Sequence, residues 1–466
     1  MPRIPNLPKW PEITWISSSP DLLASQGSPA PNILGINPWA YDFAAYNLWS
    51  RPLGLISALE AFRACGCNVA LLDCLDRTWW DVDWPEPDSF GCGRYPRTVL
   101  PKPADLDHVP RRFCRYGLPL NAVSGALARM DPVPDLVLIT ANMTYWYPGA
   151  ITAAVLAKRF FPRTPVALGG VYATLCNEHA RKSVPVDLVL QGPVEEEQNW
   201  SRIWSLMDST SPEPPRPDAG RLLPSLYPGA EYSVLLGSRG CPFTCPYCSS
   251  RLLYPGFSQF HWKSLWTQVQ EERAKGVRDF AFYDDALLVQ PHVWLEPFLQ
   301  TLIEKRADIR LHVPNGLHAA YLEPHVCRLL FRAGLTTVRL GLESANFRNR
   351  PDKKLTRQEW DYGVGNLFRA GFKPEDKGAY ILFGLPGQSE EEVMEAISFA
   401  KSFGIRPHLA YYSPIPGTAM FERAERYSPY PLRDEPLCQN RAIWPCYPAG
   451  FSWAERNRWL SQLRAC

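Results

Sequence analysis

Three cysteines stand in the run Cys241-Pro-Phe-Thr-Cys-Pro-Tyr-Cys248, with Cys245 between them, at a spacing of C-x3-C-x2-C. Three thiolates on one short loop can wrap a single metal cluster. A cubic 4Fe–4S cluster takes four thiolates, so three leave one iron open to bind and activate a small molecule. Two other chemistries fit less well. A structural zinc site closes with four ligands, often in paired C-x2-C units, and only His261 follows nearby with nothing to pair with it. A ferredoxin would show C-x2-C-x2-C and a fourth ligand.

Short apolar strands alternating with helices surround this loop. The run Ser233-Val-Leu-Leu236 and the turn Gly237-Ser-Arg-Gly240 lead into it. After it the pattern predicts helices at 262–275, 293–305, 324–333, 357–370 and 390–403. Between them it predicts strands at 279–283, 310–313, 337–342, 378–383 and 408–412. Six βα repeats imply a partial TIM-like barrel whose chemistry lies at the strand carboxyl ends. Those ends are Asp284-Asp285, Asn315-Gly316, Glu343-Ser344, Gly384-Leu-Pro-Gly387 and Ser413-Pro414.

The amino-terminal half repeats the alternation. Strands are predicted at 33–36, 69–72, 136–139, 166–168 and 187–190, with helices at 53–64 and 150–159. Parallel βαβ units of this kind form an open doubly wound sheet, with ligands at the strand carboxyl ends. Here these ends are Asn37-Pro38, Thr140-Ala-Asn142, Gly169-Gly170-Val171-Tyr172 and Gln191-Gly192. Paired glycines let a bulky group approach the backbone because no Cβ intervenes.

The predicted division is a Pro-rich leader (1–30), the doubly wound domain (31–206), a Pro/Ser linker (207–223), the barrel (224–418) and a helical or irregular tail (419–466). Residues 82–118 read as an irregular insertion, a lid or a solvated loop. Cys438, Cys446 and Cys466 lack a paired spacing, which does not favour a second cluster. A length of 466 residues suits two or three domains. The net charge of +2 gives no electrostatic case for nucleic acid or an anionic membrane. No apolar run reaches the roughly 20 residues needed to span a bilayer. Thirteen cysteines at scattered spacings do not read as a secreted disulfide framework, so a reducing cytoplasm is expected.

The cysteine loop after a strand, inside βα repeats, resembles the signature of the radical S-adenosylmethionine (SAM) superfamily. Tyr247 matches the aromatic usually found before the last cysteine. Residues 31–200 resemble, by element order, the cobalamin-binding domain fused ahead of many such barrels. The pieces carrying this likeness are Arg51-Pro-Leu-Gly-Leu55, Gly169-Gly-Val-Tyr-Ala173 and Val186-Asp-Leu-Val-Leu-Gln-Gly192. The implied fold is α/β, a Rossmann-like cobalamin-binding domain followed by a partial (β/α)6 radical SAM barrel. The D-x-H-x-x-G motif that supplies a lower cobalt ligand elsewhere is absent, so a histidine-ligated cobalt is not expected.

The resemblance implies a 4Fe–4S cluster on Cys241, Cys245 and Cys248. It implies SAM contacts from Tyr247, from Asp284 or Asp285 to the amino group, and from Glu343 and Ser344 to the ribose or methionine moiety. Gly384, Gly387, Ser413 and Pro414 fall on the adenine side. It implies cobalamin against Asn37, Pro38, Thr140, Asn142, Gly169, Gly170, Val171, Tyr172, Gln191 and Gly192. The implied reaction methylates an unactivated carbon: one SAM methylates cobalt(I), a second yields the 5′-deoxyadenosyl radical, and the substrate radical collects the methyl group. A flavodoxin or ferredoxin would supply the electron, and the substrate is a peptide, a lipid or a small metabolite. Three alternatives remain open: radical ring closure, coupling or rearrangement without methyl transfer; a ligand-free scaffold in the amino-terminal domain; and a non-catalytic electron carrier. The eight histidines read as structural or incidental.

Overall fold

The computed structural model describes residues 13–17, 30–77, 84–215, 219–447, 458 and 461. The chain forms two compact units, Met1–Pro103 with Arg111–Ala230, and Ala104–Pro110 with Glu231–Cys466.

In the first unit a five-stranded parallel sheet runs in the order β5-β4-β3-β1-β2. Its strands are β1 (Asn32–Asn37), β2 (Asn68–Asp73), β3 (Leu136–Ile139), β4 (Val166–Leu168) and β5 (Leu188–Val189). The strands are almost wholly buried, as sheets covered on both faces require. Strand order reverses between β1 and β3, so the ligand crevice of this topology opens at Asn37 and Thr140. Helix α1 (Leu53–Ala64) lies close on the sheet: a Cβ at Gly35 would fall 2.8 Å from Leu59 Cδ1.

Residues of the leader and of the insertion join sheet structure that the sequence pattern does not predict. Ile16 bridges Val69 through both backbone hydrogen bonds, at 2.8 and 3.0 Å. Within the insertion, Arg97–Leu100 pairs antiparallel with Phe113–Tyr116, which also pairs with Ala40–Asp42. The expected linker is also partly structured. Helix α4 (Ala219–Leu226) packs on α1, and the first unit runs to Ala230, beyond the predicted start of the barrel. Helices α2 (Tyr147–Phe160) and α3 (Gly170–Leu175) complete the elements used below.

In the second unit six parallel strands run in simple order, β6 (Tyr232–Leu235), β7 (Asp279–Phe282), β8 (Arg310–His312), β9 (Leu335–Glu343), β10 (Lys377–Phe383) and β11 (Arg406–Tyr411). Helices α5 (Trp262–Ala274), α6 (Leu295–Glu304), α7 (Pro324–Arg332), α8 (Arg357–Ala370) and α9 (Glu390–Ser402) alternate with them. Alternate strand residues such as Val338, Leu340, Leu342, Ala379, Ile381 and Phe383 join the helical layer in one apolar core. Their neighbours therefore face the concave side. Among the described residues no helix is long and apolar enough to cross a membrane.

Helix α8 starts with a capping box. Thr356 Oγ1 accepts from Glu359 N at 3.2 Å, and Thr356 N donates to Glu359 Oε2 at 2.7 Å. Thr356→Ala should cost about 1 kcal/mol in urea unfolding. An unchanged midpoint would show that this cap contributes nothing.

Candidate active site

The cysteine loop hangs from a tightly packed turn. β6 leads into Ser238–Gly240, which pairs antiparallel with Phe257–Gln259. Gly237 lies against the Trp294 indole, where a Cβ would come within 2.2 Å of ring atoms. Gly240 adopts φ +81°, with the Gly256 carbonyl where a Cβ would project. Asp284, 2% exposed, holds the turn: Oδ1 accepts from Ser238 Oγ at 2.5 Å and Oδ2 from Gly237 N at 3.3 Å. Burial pushes its carboxyl up to about 7. Both Asp284 oxygens are thus engaged by the turn. Asp285 is the exposed acid of the pair, and its charge raises the Cys241 thiol further than burial alone.

Cys241 and Cys245 are half-buried and Cys248 is exposed. Burial pushes Cys245 up to about 11, opposed by the nearby Lys354 cation. No three His, Cys, Asp or Glu side chains among the described residues converge on the position of a single ion. A cubane asks for something different, because each thiolate bonds a separate iron. Three soft donors on one exposed-edged loop fit that group. Cys438 and Cys446 are buried with thiols pushed up to about 12, and among the described residues neither belongs to a group of three or more His, Cys, Asp or Glu side chains that could hold a metal ion. Cys466 lies outside the described residues.

Behind the loop sits a polar network that motif reading missed. Tyr247 donates its hydroxyl to Asp352 Oδ2 at 2.8 Å. Arg350 donates to Asp352 Oδ1 at 2.6 Å and to the Leu342 carbonyl at 3.0 Å. Lys354 Nζ lies 3.3 Å from Glu343 Oε1. Burial raises the Glu343 carboxyl, while the Glu343, Cys245 and Asp352 charges hold Lys354 protonated against its own burial. Glu343 has φ +62°, a left-handed conformation that turns its side chain out of the strand alternation. The signal available in sequence was the run Arg350-Pro-Asp-Lys-Lys354 after a strand end, three alternating charges close to a carboxylate.

The remaining rim positions are placed as follows. Ser344 Oγ accepts from Asn346 N at 3.1 Å. Gly384 has φ +81° and donates to Gln388 Oε1 at 2.9 Å, and Gly387 has φ +71° beside Arg423 and Tyr427. Ser413 donates to the Gln439 carbonyl at 2.6 Å, and Pro414 is buried. The segment containing Ser413 and Pro414 returns to the cysteine loop through Met420 N, 2.9 Å from the Pro246 carbonyl.

In the first unit the strand ends also converge. Asn37 donates to Asp73 Oδ1 at 2.6 Å, Asn142 to Asn37 Oδ1 at 3.2 Å, and Tyr227 to Asp73 Oδ2 at 2.8 Å. Arg51 lies 3.5 Å from Asp76 and 3.7 Å over the Tyr227 ring. Gly170, at φ +88°, sits where a Cβ would fall 2.4 Å from Thr140 Oγ1. Gly169 has open space around its missing side chain, which suits the close approach of a bulky ligand. Gln191 is exposed, Gly192 has φ +83° and Val171 is half-buried. Asn37, Thr140 and Pro38 are buried, so their polar atoms shape the crevice floor. Tyr172 turns away from the crevice edge. It is fully buried, stacked on Tyr147 at 5.4 Å, with its hydroxyl 2.6 Å from His179 Nδ1.

Residues 235–400 match the sequence profile of the Radical SAM superfamily. An uncharacterized methyltransferase of Pyrococcus horikoshii is 28% identical over 358 residues, covering 66% of this chain and 72% of that protein. The bacteriochlorophyllide d C-12(1)-methyltransferase of Chlorobaculum tepidum is 24% identical over 286 residues, covering 55% of this chain and 59% of its own. In fold, the chain is similar to the radical S-adenosylmethionine methyltransferase TsrM of Kitasatospora setae, solved with cobalamin and a [4Fe-4S] cluster bound. The TM-score is 0.60 at 15% identity, over 86% of this chain and 80% of that one.

Two outcomes test this geometry. Asp352→Asn removes the partner of a buried guanidinium and should cost about 3–5 kcal/mol in urea unfolding; a loss below about 0.5 kcal/mol would mean that Arg350 is otherwise satisfied. Burial pushes Asp73 up to about 6 from its ordinary 3.8. The folded form thus holds this proton more tightly than the unfolded one, and its effect on stability worsens as pH rises from about 4 through 6. Asp73→Asn should flatten that part of the melting-temperature profile between pH 4.5 and 7, and an unaltered slope would exclude Asp73 as its source.

Proposed function

We propose, starting from the match of residues 235–400 to the Radical SAM superfamily, that this protein is a cobalamin-dependent methyltransferase acting on an unactivated carbon. The observation that carries the reading is the three-thiol loop pinned through Tyr247 to the strand-end network of Glu343, Asp352 and Lys354. When bound, the cluster supplies the electron that cleaves SAM to a 5′-deoxyadenosyl radical, and cobalamin supplies the methyl group. Cys241, Cys245 and Cys248 hold three irons. Asp285 is the acceptor for the SAM ammonium, a charge-assisted contact. Glu343 and Ser344 receive the ribose or methionine end, with Gly384, Gly387, Ser413 and Pro414 on the adenine side. The cobalamin tail takes the open backbone at Gly169–Gly170 and Gln191–Gly192, over a floor of Asn37, Pro38, Thr140 and Asn142. A flavodoxin or ferredoxin serves as reductant, in a reducing compartment such as the cytoplasm.

Anaerobic reconstitution with iron, sulfide and hydroxocobalamin, followed by desalting, should leave about four irons and one cobalamin per chain. Reduction with SAM should release 5′-deoxyadenosine, and methyl transfer should add S-adenosylhomocysteine. Cys245→Ala should abolish the 5′-deoxyadenosine. Irons without cobalamin would move the assignment to ring closure or rearrangement, and no SAM cleavage at all would overturn it.

A further inference from the structure

The concave face of the barrel carries a cationic and aromatic group with no part in the cofactor chemistry above. Val338, Leu340 and Leu342 face the helical layer, so alternation turns Arg339 to the concave side. Tyr380 and His408 face the same way from β10 and β11, opposite the helix-packed Ala379, Ile381 and Phe383 and next to the buried Pro407. The strands bring these residues together. Arg339 is level with Gly378 and Arg406, and Gly341 with Tyr380 and His408. A Cβ at Gly378 would fall 2.5 Å from the His408 ring and 3.1 Å from Arg339 Cδ, so both side chains lie over that glycine.

The charged side chain acting on Arg339 is Arg406, while the Glu343 carboxylate acts nearer the rim, on Tyr380. Arg310 pairs with Asp279, Arg350 with Asp352 and Arg51 with Asp76. Arg339, also withdrawn from solvent, has no carboxylate within salt-bridge reach among the described residues. Its guanidinium donates to its neighbour's carbonyl, Val338 O, at 3.1 Å, beside the Tyr380 hydroxyl. Burial and the Arg406 charge both press against its protonated form. His408 is held neutral, pushed down to about 4 by burial, Arg339 and Arg406, and so keeps one N–H to donate. Tyr380 is anchored by its hydroxyl to the Pro314 carbonyl at 2.7 Å and stands 6.1 Å, centroid to centroid, from the His408 ring. A half-buried cation with no carboxylate in salt-bridge reach among the described residues is unfavourable until an anion joins it. A planar guanidinium fork matches a carboxylate in two parallel hydrogen bonds.

We propose that Arg339, with Tyr380 and His408 beside it, binds a carboxylate of the substrate. This rests on the functional reading only in calling that ligand the substrate. Glu343 follows Arg339 on the same strand, and its Oε1 folds back over Gly341, level with Tyr380 and His408. The rim where the cofactor chemistry lies is therefore next to the acid group, and Tyr380 with Leu382 favours an apolar body there.

The test uses the reconstituted holoenzyme and three matched probes, 3-phenylpropanoate, 3-phenylpropanamide and 2-phenylethylphosphonate, by isothermal titration. The acid should bind about tenfold or more tightly than the amide. Arg339→Met should bring the acid down to the amide, and Arg339→Lys should retain part of the preference. Iron content and melting temperature establish that each variant folds, and His408→Gln, with a several-fold loss for the acid alone, gives a second reading of the same pocket. Equal binding of acid and amide, no binding of the acid, or a preference surviving in Arg339→Met would overturn the proposal. A phosphonate bound more tightly than the acid would overturn the carboxylate assignment. An acid preference without SAM cleavage by the wild type would sink the functional reading and leave this site standing. SAM cleavage without an acid preference would do the reverse.

Discussion

Arg350 and Asp352 are buried together behind the cysteine loop, and the rim of the barrel depends on that ion pair. Three thiols on a loop define nothing until something fixes the loop. Here the fixing runs from the Leu342 carbonyl through Arg350 and Asp352 to the Tyr247 hydroxyl, one residue before Cys248. A buried guanidinium is costly unless its donors are met. Its demand for partners therefore forces the loop after β9 and the cysteine loop into one arrangement. Glu343 and Lys354 then meet at the same place, which puts a mobile-looking motif on a rigid base. The left-handed backbones at Glu343 and at Lys353, between Asp352 and Lys354, are strained points of this assembly, held by the ion pairs around them.

The first unit solves the same problem by other means. Its strand ends carry amides and hydroxyls instead of a salt bridge at the centre: Asn37 and Tyr227 converge on the single carboxyl of Asp73, and Asn142 joins them through Asn37. Arg51 and Asp76 lie at one side of this group. Tyr227 comes from the segment after α4, so the end of the chain in this unit locks the strand ends from above. The glycines at 169 and 170 stay outside that network and keep the backbone accessible, which divides the crevice into a fixed floor and an open edge.

Much of this was legible in the sequence because parallel strands buried on both faces must be continuous apolar runs. The runs at 136–139 and 166–168 and the helices at 53–64 and 357–370 match their predicted spans. The losses have particular causes. Arg97–Leu100 is a mostly exposed strand in a proline-rich loop, with no period to betray it. Helix α4 contains Pro224, which reads as a break. Asp284 and Asp285 are chemically identical, yet consecutive residues at a strand end point to opposite sides, and only packing decides which one seals the turn. Tyr172 follows two glycines of the crevice edge, but its ring turns inward to Tyr147 and His179. The charged run at Arg350–Lys354 stands in the sequence, but its tie to Tyr247, more than a hundred residues earlier, shows only in the fold.

The concave face of the barrel shows why the middle of the strands matters as much as their ends. A closed barrel fills its interior with branched apolar layers, whereas six strands with free edges leave a surface that polar residues can occupy. At the amino end Asp279, His312 and Thr337 satisfy one another, with His312 at 2.9 Å from Asp279 and 3.0 Å from Thr337. At the carboxyl end Glu343 and Lys354 do the same. Next to the Glu343–Lys354 pair, Arg339 and His408 lie together over Gly378 with no carboxylate in salt-bridge reach of Arg339 among the described residues. A protein that pairs its charges at Asp279 and Glu343, and leaves Arg339 without such a partner, has separated what the fold requires from what the ligand completes.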